Sequence, residues 1–196
     1  MALYTAITEY VRRTLTEKRF LHSISTACCG KEIALSVGVC PERAYLAGIL
    51  HDIARELPDE SLLRTAREKG IIPRNEEKSH PILLHGKIAA LISKDELGIK
   101  DKGVLAIAFH VAGRQGWPRL EQVVYLADKI EPLRDYPGVD GLRRLVETGR
   151  FDKALMESLR NTVIYAVQER DKIVDTETVV VFNEVTKAKT RNTAKS

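Results

Sequence analysis

The sequence contains little that would suggest a membrane, secreted or disulfide-bonded protein. It has no apolar stretch near the roughly 20 residues that span a bilayer, and residues 1–20 lack the basic-then-apolar order of a secretory signal. Its three cysteines are Cys28, Cys29 and Cys40. An odd count with two adjacent members does not make a disulfide framework, so we expect a protein of the reducing cytoplasm with no membrane partner.

Alternating apolar and polar residues, the pattern of a half-buried strand, are also missing. The stretch 176–182 is rich in β-branched residues, but it has no second strand to pair with, so we predict a short terminal helix there. Elsewhere apolar residues recur at helical spacing. The sequence therefore predicts an all-α fold, a single compact helical bundle over residues 1–185.

An excess of acidic residues is absent as well, because the formal net charge is +4. The excess positive charge lies in the last ten residues, which hold four basic residues and no acid: Lys187, Lys189, Arg191 and Lys195. Without these four, the remaining basic residues equal the 27 acidic ones. We predict a neutral body with a basic, disordered tail at 186–196, and we do not expect nucleic acid as the main partner.

Capping residues and periodicity place the individual helices. After a first amphipathic helix through Tyr4 and Leu15, we predict helices at 21–37, from Pro41, from Pro58 to Gly70, from Pro81 to near Gly98, from a cap at Asp101, at 118–131 and at 152–169. Residues 71–80 and 113–118 are predicted as loops.

The dipeptide His51-Asp52 lies in the apolar run 45–54, where a helix would normally bury aliphatic side chains. His51 falls at helical spacing from three small residues of the core-facing stripe: Ala44, Ala47 and Gly48. His22 and Asp128 fall on the apolar stripes of two other predicted helices. Two more imidazoles lie at or near core-facing positions, those of His85 and His110.

Ionisable groups in such positions are costly unless something compensates them, and a shared metal ion can do so. Mixed imidazole and carboxylate ligands suit iron, manganese, cobalt or zinc better than magnesium. The polar residues on the apolar stripes of three predicted helices thus indicate a site for a divalent transition metal. Its ligands would be His22, His51, Asp52 and Asp128. Such an ion lowers the pKa of a bound water and polarises a phosphoryl oxygen.

The buried position of each of these residues can also be explained without a metal ion. A single histidine on an apolar face is more often a hydrogen-bonded core residue than a ligand. Asp52 could pair with Arg55, and Asp128 with Arg134, without any metal. Spacing alone leaves both explanations open.

The order His22, His51-Asp52, Asp128 on a helical chain resembles the HD-domain phosphohydrolase superfamily. The surrounding segments 80–86 and 125–139 are similar to those of the YqeK-type family. The resemblance extends to about Val185. It implies an HD-domain bundle and a symmetrical dinucleoside tetraphosphatase, which splits diadenosine tetraphosphate into two ADP by attack of a metal-bound hydroxide on an inner phosphorus.

The same resemblance implies roles for individual residues. His22, His51, Asp52 and Asp128 would be the catalytic metal ligands, with iron favoured and manganese or cobalt as alternatives. A second ion and a homodimer are left open. For His85, the sequence does not separate a proton donor from a ligand of a second ion, and the same holds for His110.

Substrate contacts are implied at a further set of positions. His85, His110 and Arg134 match residues that contact the nucleotide phosphates. Where the family has two threonines, this chain has Val111 and Ala112, so two hydroxyl donors are missing. Arg19 and Arg114 are expected to supply positive charge to the phosphates.

Two other functions compete with this one. The first is an HD-type nucleotidase that acts on mononucleotides and shares the same metal ligands. The second is a non-catalytic helical adaptor that uses its basic tail on RNA or a ribosomal partner.

Overall fold

The computed structural model describes residues 2–169 and 172–193, and in these residues the chain forms helices and turns without a strand. The predicted all-α fold is confirmed. Within the described residues the α-helices are α1 (Ala2–Thr14), α2 (Glu17–Val37), α3 (Pro41–Leu50), α4 (Asp59–Glu68), α5 (Asn75–Ser79), α6 (His85–Asp95), α7 (Lys102–Leu105), α8 (Arg119–Ile130), α9 (Val139–Glu147), α10 (Phe151–Gln168) and α11 (Thr176–Thr193). Short 3₁₀ helices cover Pro81–Leu84 and Ala106–Phe109. None of the described helices combines the length and the hydropathy needed to cross a bilayer.

Helices α2 and α3 form the centre of the molecule, and α8 packs against both. Their close approach depends on glycine: a Cβ atom on Gly48 would lie 2.6 Å from the Cα of Ala27 on α2. Gly30 of α2 faces Ala44 of α3 and Ala127 of α8 at ordinary contact distance. Small residues therefore bring the backbones of the three helices together.

Two apolar cores flank this central trio. One contains Ile7, Leu50, Leu62 and Ile88, and the other contains large side chains of α8 and α10, among them Tyr125, Leu126, Leu155 and Leu159. Helices α2, α3 and α8 contribute residues to both cores. The trio is thus fixed at the junction of the two cores, where its polar residues face one another.

Helix α3 ends at Leu50, one residue before His51 and Asp52, which the sequence placed inside the helix. The backbone N–H of Arg55 donates to the carbonyl of Asp52 at 2.8 Å, a bond across three residues rather than four. The chain therefore winds more tightly here than in an α-helix. Both side chains of the dipeptide reach the same side of α3, as the distances below show.

Other segments also differ from expectation. Residues 71–80, predicted as a loop, contain the short helix α5. Helix α9 was not predicted, although Val139 and Leu142 are buried at helical spacing.

The terminal helix is longer than predicted. The backbone of α11 continues to Thr193, whereas the sequence predicts a disordered tail from residue 186. The start of α11 is anchored because Thr178 and Val181 are buried and Arg74 donates to Asp175 at 2.7 Å. Side chains from residue 188 onwards lie outside the described part, so the division of the chain at residue 185 stays a prediction.

Candidate metal centre

The first cluster of polar side chains joins α2, the end of α3 and α8. The Nε2 atom of His22 lies 3.2 Å from Nε2 of His51 and 3.0 Å from Oδ1 of Asp128. Oδ2 of Asp52 lies 3.7 Å from the first of these nitrogens and 3.6 Å from the second. Ligand atoms about 2.1 Å from an ion lie roughly 3.0 Å apart in neighbouring octahedral positions and roughly 3.4 Å apart in a tetrahedron. These spacings suit one shared cation.

A second cluster lies on the other side of Asp52. Nε2 of His85, at the start of α6, is 3.2 Å from Oδ1 of Asp52 and 3.0 Å from Nε2 of His110. Nε2 of His110 is 3.8 Å from the same carboxylate oxygen. The two oxygens of Asp52 therefore face different clusters, each with three or more atoms able to bind a metal ion.

In each of the four histidines of the two clusters, Nδ1 points away from the clusters and contacts a hydrogen-bond acceptor. Three of these atoms lie against the backbone carbonyl three residues earlier, and the fourth lies against a carboxylate: His51 with Gly48 at 2.6 Å, His85 with Ile82 at 2.5 Å, His110 with Ile107 at 2.7 Å, and His22 with Glu131 at 3.0 Å. Because carbonyls and carboxylates accept hydrogen bonds, each Nδ1 carries the proton. In the neutral ring Nε2 then presents a lone pair to the site.

Lone pairs that face each other repel unless a cation separates them. The Nε2 atoms of His85 and His110 are only 3.0 Å apart, and two unprotonated nitrogens cannot hydrogen-bond to each other. Nε2 of His22 likewise lies 3.2 Å from Nε2 of His51, and although burial lowers the pKa of His22, its hydrogen bonds to Asp128 and Glu131 raise that pKa by more. The donor set therefore fits a metal ion better than a hydrogen-bonded core.

The pKa shifts of Asp52, His110 and Asp128 favour the protonation states in which these side chains bind metals. Burial would raise the pKa of Asp52, but His51 and His85 lower it by more, so the pKa lies well below its ordinary value. Burial, reinforced by the neighbouring His85 and His51, holds the pKa of His110 well below its ordinary value. Asp128 is likewise ionised, since Lys129 and the nearby histidines lower its pKa by more than burial raises it. Ionised carboxylates and neutral imidazoles are the forms that bind metals.

Glu131 completes the site, and sequence reasoning missed it as a functional residue. Its side chain is 1% exposed. Oε1 accepts from Nδ1 of His22, and Oε2 accepts from the backbone N–H of Leu133 at 2.7 Å. A carboxylate three residues after a candidate ligand was the available signal, because residues three apart share a helix face. Carboxylates in this position orient a metal-binding histidine.

Positive side chains surround the two aspartates. Arg19 donates to Oδ2 of Asp52 at 3.0 Å, and Lys129 donates to Oδ2 of Asp128 at 2.9 Å. Arg134 donates to Oδ1 of Asp128 and, at 2.7 Å, to its backbone carbonyl. The ion pair between Asp128 and Arg134 thus coexists with the ligand cluster. The alternative partner of Asp52 is Arg19, not Arg55.

The remaining predicted contact residues follow His110. Val111 is half-buried and Ala112 is buried. The guanidinium of Arg114 donates to both carboxylate oxygens of Glu121, at 2.9 and 2.8 Å, and lies over the ring of Phe109. The structure therefore brings four of the predicted contact residues to the candidate metal centre: His85, His110, Arg19 and Arg134. Arg114 is instead engaged by Glu121.

Comparison with known proteins agrees with this geometry. Residues 19–133 match the HD domain, and this span contains the histidines and aspartates of both clusters. This chain belongs to the HD domain family. The family expected from the sequence is confirmed.

Relatives of this HD-domain chain are similar over nearly their whole length. The symmetrical bis(5'-nucleosyl)-tetraphosphatase of Bacillus subtilis (strain 168) is 35% identical over 88% of this chain and 92% of its own length. The protein of the same name from Staphylococcus aureus (strain NCTC 8325 / PS 47) is 33% identical over 88% of this chain and 89% of its own length. The crystal structure of an HD superfamily hydrolase from Clostridium acetobutylicum, described as involved in NAD metabolism, superposes with a TM-score of 0.89 at 33% identity, covering 94% of this chain and 97% of its own.

Proposed function

We propose that this HD-domain protein is a symmetrical bis(5'-nucleosyl)-tetraphosphatase, a metal-dependent hydrolase that converts diadenosine tetraphosphate into two ADP. Relatives with that name cover about nine-tenths of the chain. The observation that carries the proposal is the convergence of four Nε2 atoms on the carboxylates of Asp52 and Asp128, with every Nδ1 engaged elsewhere. Such a donor set favours metal-dependent hydrolysis.

His22, His51, Asp52 and Asp128 would hold the catalytic ion. We favour iron, with manganese or cobalt as alternatives, because imidazole and carboxylate ligands suit these metals. When bound, the ion supplies a water of lowered pKa and a positive charge for a phosphoryl oxygen.

The chain's own residues would then position the phosphates. Arg19, Arg134 and Lys129 place three positive charges within hydrogen-bond distance of the ligand carboxylates. Phosphoryl transfer depends mainly on positioning and on neutralising charge, so no covalent nucleophile is needed. The leaving group is a nucleoside diphosphate whose terminal phosphate is stabilised by these cations.

We further infer that His85 and His110, together with Asp52, would hold a second ion. This assignment is favoured over a proton-donating role because both Nε2 atoms lie within 3.8 Å of Oδ1 of Asp52. Metal analysis of purified His110→Ala distinguishes the two roles. A ligand role predicts about one equivalent of metal fewer than in the wild type, whereas a proton donor predicts unchanged metal content and lower turnover.

Replacement of Asp52 tests the proposed function itself. Asp52→Ala removes the carboxylate shared by both clusters, so we expect loss of bound metal and loss of ADP release from diadenosine tetraphosphate, with the helical circular dichroism retained. Asp95→Ala serves as a control, because Asp95 is a surface residue paired with Lys69. Wild-type turnover in Asp52→Ala would contradict the proposal.

Product analysis separates the competing functions. Two ADP from one dinucleotide is the proposed outcome, whereas inorganic phosphate from a mononucleotide would indicate the nucleotidase. Salt-sensitive RNA binding that disappears when residues 186–196 are removed would indicate the adaptor. The cluster of metal-competent side chains favours the hydrolase over the adaptor.

Two further expectations concern the cellular compartment and the oligomeric state of the enzyme. The reducing cytoplasm is proposed because Cys28, Cys29 and Cys40 are free thiols. A homodimer is expected only by analogy with the family, and light scattering of the purified protein tests it.

A further inference from the structure

Arg55 differs from the other cations around the metal centre. Arg19, Lys129 and Arg134 each donate to a carboxylate of Asp52 or Asp128. For Arg55, the described residues provide no hydrogen-bond or ion-pair partner for the guanidinium, although the side chain is only partly exposed. An unpaired cation that is partly withdrawn from water lowers the stability of the fold. The unpaired guanidinium of Arg55 therefore needs an explanation other than stability.

The carboxylates near Arg55 in the chain do not explain its position, because they have other partners. Glu56, the next residue, accepts from the backbone N–H and the hydroxyl of Thr16, both at 2.7 Å, and so points towards the start of α2. Asp52 lies one turn earlier in the chain, but its two oxygens face Arg19 on one side and His85 on the other. Every nearby carboxylate therefore has other partners.

Arg55 nevertheless belongs to the electrostatic surroundings of the metal centre. Burial lowers its pKa, and the charges of Asp52, Arg19, Asp128 and Arg134 all act on it. The backbone N–H of Arg55 donates to the carbonyl of Asp52 at 2.8 Å, so Arg55 begins within one turn of the carboxylate that both clusters share. A polyanion that enters this group of cations would give Arg55 the partner that it lacks.

We propose that Arg55 binds the phosphate chain of the substrate, as a contact additional to those of Arg19 and Arg134. This inference rests on the proposed function for the identity of the substrate, but the feature recognised is a chain of linked phosphates. A guanidinium binds phosphate oxygens through two parallel N–H groups, which a lysine cannot reproduce. Because the contact exists before and during the reaction, its loss raises KM more than it lowers kcat.

The test compares wild type, Arg55→Ala, Arg55→Lys and Arg67→Ala, all metal-loaded. Arg67 is a matched control, since it is an exposed arginine in the last turn of α4. Calorimetry with inorganic tripolyphosphate measures binding without turnover. We expect Arg55→Ala to bind about 10- to 100-fold more weakly, with unchanged metal content, and we expect Arg55→Lys to recover part of the affinity and Arg67→Ala to resemble the wild type.

Kinetics with diadenosine tetraphosphate supply the second measurement. KM of Arg55→Ala should rise about as much as tripolyphosphate affinity falls, with a smaller change in kcat. Wild-type affinity in Arg55→Ala, no tripolyphosphate binding by the wild type, loss of metal from Arg55→Ala, or an equal defect in Arg67→Ala would each overturn the inference. If the wild type binds tripolyphosphate through Arg55 but releases no ADP from the dinucleotide, the proposed function fails while the phosphate contact stands.

Discussion

Nδ1 of His22 lies 3.0 Å from Oε1 of Glu131, although 109 residues separate them in the chain. The carboxylate is buried and holds the ring so that Nε2 points at His51 and Asp128. A histidine that donates Nδ1–H to a carboxylate has a fixed tautomer and a more basic Nε2. Glu131 therefore fixes the orientation of His22 without joining the cluster itself.

We predict that Glu131→Gln weakens metal binding by about 10- to 100-fold, because a neutral amide supports the His22 ring less well than a carboxylate. Competition with a chelator of known affinity measures the change. Glu121→Gln is the matched control: Glu121 is a buried carboxylate in the first turn of α8, and its partner is Arg114. Equal metal affinity in Glu131→Gln and the wild type would show that Glu131 does not position His22.

We predict that Gly48→Ala destabilises the protein. The added Cβ would lie 2.6 Å from Cα and 2.8 Å from N of Ala27, and backbone atoms cannot move aside by rotation of a side chain. We expect a loss of about 1–3 kcal/mol in the free energy of unfolding, as in other overpacked cores, together with weaker metal binding, because α2 and α3 carry His22 and His51.

Gly30→Ala is the control for that change. Its Cβ would meet Ala44 and Ala127 at 3.5 and 3.6 Å, which are ordinary contacts. Alanine also favours a helix over glycine by about 1 kcal/mol, so denaturant unfolding should show unchanged or higher stability. If both variants unfold alike, close packing at Gly48 is not what holds the two helices together.

A third prediction concerns acid stability. Glu77 is 1% exposed and accepts hydrogen bonds from Lys87 at 2.6 Å and from the backbone and side chain of Arg74. Burial raises its pKa, but these partners lower it by more, so the folded-state pKa lies below the ordinary value. The carboxylate therefore stabilises the fold above the unfolded-state pKa, and this stabilisation is lost as the pH falls through the folded-state pKa.

Glu77→Gln should consequently unfold more easily at pH 7, by about 1–3 kcal/mol, and the difference from the wild type should shrink as the pH falls below about 4.3. Urea unfolding at several pH values, with metal saturating at each, measures both effects. Glu76→Gln is the neighbouring control, since the side chain of Glu76 is only partly buried and, within the described residues, accepts a hydrogen bond from Thr176 rather than from Lys87 or Arg74. A constant difference across the pH range would contradict the linkage.

The sequence by itself determined the fold class and the chemical type of the site. Helical periodicity placed His22, His51 and Asp128 on apolar stripes, and the aspartate next to His51 pointed to a candidate metal site. These signals are local, because the face on which a residue lies follows from its distance along one helix. Helix α9 escaped this reasoning although its apolar residues recur at helical spacing, and the length of α11 escaped it because the apolar residues of this helix lie mostly in its first half.

Only the tertiary structure decided which groups are partners. The two oxygens of Asp52 face different clusters, Glu131 supports His22, Arg19 replaces Arg55 as the partner of Asp52, and Arg114 turns to Glu121. Such pairings depend on the packing of α2, α3, α6 and α8 against one another, which joins residues far apart in the chain. Periodicity predicts that a polar group is buried, but the identity of the group that satisfies it is set by the contacts between helices.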